Sequence, residues 1–261
     1  MDDIKLRPEG TPHRVYAVCR LASLEKYSKE QLAKLCMPEK SESQIFKVTY
    51  NMCENFGLIR ENEKGNVIFC KDKAVLLSHD TFRRFVRDLF FVTYKDSKIS
   101  RFTQYFMGES LHVSDYSSYK GLTAKLPEQY QDIKEENLLA WRFWLHYMGL
   151  CYLFPKGKTE IVIYNPIRCL EDFLLDQYSQ EQEIDFEKFY IELNRYCGVF
   201  SGMIRQNIVC DSLSLGLYTL EELGVISIRR VNDALIKWRL SSKSTDGIPI
   251  EVTSIEIREV E

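Results

Sequence analysis

A mostly helical α+β protein built from tandem winged-helix units is what this sequence predicts. Three observations carry that expectation. Apolar residues recur along the chain at helical spacing. Three of the periodic segments stop at a glycine, Gly57, Gly149 and Gly224, the residue that ends a helix in the left-handed region without a Cβ clash. Each glycine is followed by strand-forming runs split by a turn. Read as units, these are residues 1–75, 76–178 and 179–261, the middle one holding a helix at 135–148 and a hairpin at 150–164.

Residues 1–10 are polar and read as an arm. Thr11-Pro12 opens a helix, since proline suits the first helical position, and Val15, Val18, Cys19 and Ala22 mark its buried face. Ser28 with Gln31 forms a capping box for a short helix from Lys29 to Leu35, and Pro38 breaks the chain. Ser41 with Gln44 is a second box, opening a helix whose apolar stripe is Ile45, Val48, Met52 and Phe56. After Gly57, Leu58 and Ile59 run extended, Glu63 to Asn66 turn, and Val67 to Cys70 return. Three helices and a hairpin in that order are the winged-helix arrangement, a member of the helix-turn-helix group.

The polar face of the third helix carries Gln44, Lys47, Asn51 and Glu54 at three- and four-residue spacing, with Tyr50 beside them. Amide side chains pair bidentately with adenine, and lysine reaches guanine or phosphate. Lys40 before the helix and Lys64 in the turn extend this candidate surface for double-stranded DNA. The same face also suits plain solvation or a protein contact.

Beyond Ala74 to Ser78 the pattern changes. A helix from His79 to Tyr94 buries Phe82, Phe85, Val86, Leu89 and Phe90. Arg83, Arg84 and Arg87 fall on its other face, as solvated arginines or as a phosphate-contacting patch. Ile99 to Met107 is helical, and Ser110 to Gly121 reads as a loop. Glu135 to Tyr147 is so apolar, with Trp141 and Trp144, that it reads as a buried copy of the first unit's last helix. Its hairpin runs from Leu150 to Phe154 and from Thr159 to Tyr164.

Pro166 starts a helix through Leu175, and the acidic stretch from Ser179 to Asp185 reads as a linker. Phe186 to Tyr196 is the next helix. Asp211 is placed to cap a helix from Ser212 to Leu223 with Leu213, Leu217, Leu220 and Leu223 inward. Val225 to Arg230 and Ala234 to Leu240 are expected to pair across Asn232-Asp233. Glu221 and Glu222 would repel phosphate, which makes this unit a protein-contact module, although Arg229 and Arg230 point the other way. Ile248 to Val260 alternates like an edge strand.

Composition narrows the function. Apolar content of 45% and charged content of 28% are ordinary for a soluble chain, with no apolar run of bilayer length. Met-Asp-Asp-Ile-Lys is too polar for a signal peptide, so a cytoplasmic protein without membrane contact is expected. Residues 1–134 hold 22 Lys+Arg against 18 Asp+Glu, and residues 135–261 hold 13 against 20, so a nucleic-acid surface belongs to the first half. Eight cysteines, at 19, 36, 53, 70, 151, 169, 197 and 210, include no C-x-x-C pair and suit buried thiols better than a metal site. Histidines 13, 79, 112 and 146 stand alone in sequence. No phosphate-cradling glycine motif or nucleophile elbow occurs either. The expectation is a non-enzyme without cofactor or metal; a site built from dispersed carboxylates is the enzymatic alternative.

Three segments together carry a resemblance: Thr11 to Ala22 (TPHRVYAVCRLA), Leu35-Cys36-Met37-Pro38, and Asn55 to Ile59 (NFGLI). The chain resembles the multi-winged-helix proteins of bacterial anti-phage defence islands, nearest the DpdG-like group. That group is found with gene clusters that install and restrict 7-deazapurine-modified DNA. The matching part is the first unit, about a quarter of the chain. The resemblance implies a bacterial accessory protein with double-stranded DNA or other subunits of a defence complex as partners, and it carries over no catalytic residue. Together these readings describe a non-catalytic DNA-binding or adaptor component of a defence system. The alternatives are a dimeric winged-helix transcriptional regulator and an assembly subunit that does not touch nucleic acid.

Overall fold

The computed structural model describes residues 6–37, 43–109, 119–124, 126–156, 159–234, 236–241 and 249–258. Among the described residues helix accounts for about 53% and strand for 16%, and the sheets are small, so the mostly helical α+β class holds. The chain forms two compact units. The first comprises residues 1–89, 97–99 and 117–147, and the second residues 90–96, 100–116 and 148–261.

In the first unit α1 (Pro12–Ala22) begins with proline at its first turn, and α2 (Lys29–Cys36) starts on the expected capping box of Ser28 and Gln31. The third helix, α3, spans Ser43–Asn55; the expected cap Ser41, with Pro38 and Lys40, lies outside the described residues. Gly57, at φ +62°, ends it, and Leu58 N–H closes onto Cys53 O at 2.9 Å. The hairpin of β1 (Ile59–Glu61) and β2 (Val67–Phe69) follows in antiparallel register, Arg60 opposite Ile68. Its turn is built by the Asn62 side chain, whose Oδ1 accepts from the N–H groups of Lys64 and Asn66, both at 3.0 Å. Val67 N–H bonds Tyr27 O at 2.9 Å, which fixes the hairpin to the start of α2.

The stretch before α1 is more than a polar arm. Leu6 is buried, Asn137 donates to Leu6 O at 3.1 Å, and the Trp144 indole donates to Gly10 O at 3.1 Å. A Cβ on Gly10 would lie 2.0 Å from Met52 Sδ, so residues 6–10 press directly on α3. Polarity in the sequence hid this, because the contacts are made through backbone carbonyls and one leucine.

Helix α4 (His79–Asp88), boxed by Ser78 and Thr81, stops earlier than expected and passes into a π-helical turn at Leu89–Thr93. Helix α5 (Lys98–Gly108) follows, with Phe102 and Phe106 buried. Residues 110–118 lie outside the description, and α6 (Tyr119–Thr123) occupies the end of the expected loop. Helix α7 (Glu135–Tyr147) buries Leu138, Ala140, Trp141, Trp144 and Leu145, and Phe56, just past the end of α3, meets Trp144 edge-on at 5.6 Å. The core of the first unit lies where α1 packs on α2, α3 and α7.

The second unit departs further from expectation. Strands β3 (Cys151–Lys156) and β4 (Thr159–Tyr164) pair as a separate two-stranded sheet, and α8 (Ile167–Gln177) follows Pro166. The expected linker contains a strand, β5 (Gln182–Asp185), leading into α9 (Phe186–Tyr196). Strands β6 (Ile204–Arg205) and β7 (Ile208–Val209) form a tight turn with Gln206 and Asn207 at positive φ. Helix α10 is Asp211–Glu222; its N-cap is Cys210, so Asp211 is the first helical residue rather than the cap.

Strands β8 (Ile226–Arg229) and β9 (Trp238–Leu240) do not pair with each other, contrary to the expected third hairpin. The C-terminal segment supplies their partners: β10 (Ile250–Val252) pairs with β9, and β11 (Ser254–Ile257) pairs with β8. On its other side β11 pairs with β5, so it is a central strand, and of the two C-terminal strands it is β10 that sits at an edge. Long-range pairing overrode the local turn signal at Asn232-Asp233. Leu223, expected inward, is 61% exposed, because the helix has already ended at Glu222.

Candidate nucleic-acid interface

Helix α3 has two well-separated faces. Phe46, Thr49, Tyr50, Met52, Cys53 and Phe56 are buried, while Gln44, Lys47, Asn51 and Glu54 are exposed along one ridge. Ile45 and Val48, expected at the centre of the apolar stripe, are only half-buried. Two polar side chains hold the inner face. Thr49 donates to Ile45 O at 2.9 Å and to Glu9 O at 3.3 Å, which uses up its hydroxyl in the interior.

Tyr50 corrects the sequence reading. It is fully buried, packs on Phe46 with ring centroids 5.6 Å apart, and carries Lys29 Nζ 4.0 Å above its ring. Its hydroxyl donates to Glu61 at 3.4 Å, tying α3 to the hairpin. Burial, with Glu54 and Glu61 nearby, holds the phenol well above its ordinary pKa. A base or phosphate cannot reach this ring. Helical angle explains the change: residue 50 lies one position from Asn51 but 100° around the helix.

Lys64 stands exposed in the turn of the hairpin. Among the described residues of the first unit, Arg7, Lys73, Arg83 and Lys98 have acid partners in Glu136, Glu25, Asp80 and Asp132. Lys47, Arg60, Lys64 and Lys71 have none there, nor do Arg20, Lys26, Lys34 and Lys134 elsewhere in the unit; the first four are exposed residues of α3 or of the hairpin and its immediate exit. Arg60 and Lys71 were not singled out from sequence. Their signal was strand position, since Arg60 alternates with buried Ile59 on β1.

The arginines of α4 are corrected as well. Arg83 and Arg87 are buried, at 8% and 1% exposure, and Arg84 is half-buried. Arg83 bonds Asp80 one turn earlier at 3.3 Å. A helix that packs on more than one side leaves no solvated face for long side chains, whose stems fill space instead. These three residues do not form an exposed basic patch.

A family model described as DpdG-like matches residues 4–234. The chain belongs to the DpdG-like family. The match runs far beyond the first unit, over which the sequence resemblance was drawn. Membership suggests a role in the Dpd DNA-modification system, a defence-related setting. No curated protein and no solved structure matches the chain. Among the described residues no helix is long and apolar enough to cross a membrane.

This DpdG-like chain also gathers residues that sequence left scattered. His13 of α1 and His79 of α4 approach with ring centroids 5.1 Å apart, and Tyr16 packs against His79 at 4.1 Å with the rings tilted by 37°. The Tyr147 hydroxyl donates to His79 O at 3.2 Å and lies 3.3 Å from His79 Nδ1. Burial and the neighbouring His79 push the His13 imidazole below its ordinary pKa. Their sequence separation of more than sixty residues gave no signal. Among the described residues no three His, Cys, Asp or Glu side chains are grouped to hold a metal ion.

The last helix of the DpdG-like chain differs from α3. Glu221 accepts from Ile228 N–H at 3.0 Å, which joins α10 to β8. Arg230 pairs with Glu251 at 3.1 Å and Arg229 pairs with Glu256, so the two arginines that argued for phosphate contact here are committed to internal acids.

Proposed function

We propose that the chain is a non-catalytic component of a DNA-modification and defence system whose first unit binds double-stranded DNA. In this reading α1, α2 and α3 with the β1–β2 hairpin work as a winged helix. Helix α3 offers Gln44 and Asn51 to base edges and Lys47 to a phosphate. Lys64, Arg60 and Lys71 meet the flanking backbone. One observation carries it: the ridge Gln44, Lys47, Asn51 and Glu54 stays exposed while the opposite face of α3 is buried. Family membership supports the DNA-related setting.

Titration of a labelled duplex at two salt concentrations tests it. Wild type binds at low salt, and Lys47→Ala weakens binding to all duplexes and lowers the salt slope by about one unit. If wild type binds no duplex at low salt, the DNA reading fails and the same face is an adaptor surface for another subunit.

A further inference from the structure

We propose that a groove in the second unit, beside β4 and α10, binds an extended apolar peptide segment of a partner protein bearing a carboxylate. The groove encloses about 780 Å³ and is lined by Ile163 and Tyr164 of β4, Ile208 of β7, Leu215 of α10 and Arg239 of β9. That volume suits anchoring side chains. It belongs to residues that play no part in the α3 surface.

The hairpin beside the groove has an unusual outer face. Tyr152 stands opposite Ile163 in register, and with Phe154 they share one side of the sheet. They are 48%, 38% and 59% exposed, whereas Cys151, Val162 and Tyr164 on the other side are buried. The outward side of an antiparallel hairpin normally carries polar residues. Through Ile163 this stripe runs into the groove, where Ile208 and Leu215 are also exposed. Among the described residues the sheet is two-stranded, and in this proposal the edge of β4 takes the added strand.

Polar atoms in the groove define the occupant. Ser212 donates to Met107 O, Ser214 to Val209 O, and Tyr218 to Ser241 O at 2.6 Å, so these hydroxyls are spent within the fold. Among the described residues seven cations of this unit pair with acids: Arg101, Arg168, Lys188, Arg205, Arg229, Arg230 and Lys237. The guanidinium of Arg239, exposed on the groove, has no acid or hydrogen-bond partner among the described residues. It suits a carboxylate, which arginine takes bidentately. Asp211 and Glu222 line the same groove, so in this proposal a single carboxylate meets Arg239 alone, whereas the repeated phosphates of a nucleic-acid strand would meet these acids as well.

Fluorescence anisotropy on the full chain tests this, with labelled synthetic peptides of alternating valine and threonine that carry one glutamate or, as control, one lysine. The glutamate peptides bind, and the lysine peptides bind at least about tenfold more weakly. Arg239→Glu reverses that preference, and Leu215→Arg, at a solvent-exposed position, abolishes binding with an unchanged circular dichroism spectrum. The proposal is overturned if no peptide binds, if Arg239→Glu leaves the preference as it was, or if Leu215→Arg binds like wild type. It is equally overturned if free hexanoate competes as well as the peptide, which would make the groove a small-acid site. Duplex binding by the first unit does not enter any of these outcomes.

Discussion

Single side chains decide what the first unit can offer. Tyr50 and Asn51 are neighbours in sequence, yet one is sealed beneath Lys29 and the other faces solvent. Tyr50→Ala removes a buried ring together with the Glu61 contact and is expected to cost about 3–5 kcal/mol by urea denaturation. Tyr50→Phe, which loses only a long hydrogen bond, costs about 1 kcal/mol or less. His13 gives a pH signature. Because its folded pKa is lowered, the unfolded chain holds more protons between that value and the ordinary one. Stability contributed by the neutral imidazole is therefore full above the ordinary value and is lost as pH falls through the window below it. Thermal melts from about pH 7 to about pH 5.5 should show a falling midpoint, and His13→Asn should flatten that slope. A slope unchanged by the substitution would assign the acid sensitivity elsewhere.

At the level of elements, helices were legible and their partners were not. The boundaries of α1, α2, α7 and α9 follow from caps, proline and apolar spacing, all local properties. In the stripe of α3, Met52 and Phe56 are buried as read, but Ile45 and Val48 give way to Phe46, Thr49 and Tyr50, because Thr49 and Tyr50 look polar and yet satisfy their hydroxyls inside. Four of the proposed DNA residues, Gln44, Lys47, Asn51 and Lys64, were legible as exposed positions, while Tyr50, Arg83 and Arg87 were not, since burial on a second helix face leaves no local mark. If α3 reads bases, Asn51→Ala costs on the order of 1–3 kcal/mol on a preferred duplex and little on others. Phe56→Ala, against Trp144, instead destabilises the fold by roughly 3–5 kcal/mol without sequence dependence. Gly198 marks a tighter constraint in the second unit. A Cβ there would sit 2.8 Å from Phe91 O, a backbone atom, and Gly198→Ala should lower stability by about 1–3 kcal/mol in denaturant titrations.

For the whole chain, topology explains what sequence could not supply. The path alternates between the two units, so each is assembled from separate stretches. A reading that divides a chain into consecutive blocks has no access to that arrangement. The same holds for the sheets: β8 has a turn signal beside it and still pairs with β11, more than twenty residues on. Ile255, fully buried in the middle of β11, is the test residue. Ile255→Asp should destabilise the second unit by at least about 3 kcal/mol, read as early loss of amide protection in β5 and β8 by hydrogen exchange. Protection retained in both strands would show that β11 is dispensable to the sheet.

That central strand also sets an order of events during synthesis. β5 ends at Asp185, and the strand that separates it from β8 begins only at Ser254. At ribosomal speeds of roughly 5–20 residues per second, β5 waits on the order of 4–14 s for its partner. Throughout that interval β5, and later β8, present open edges of the kind that recruit other chains. Expression at lowered temperature or with abundant chaperone should therefore raise the yield of the full chain, and crowding of nascent chains on one message should lower it.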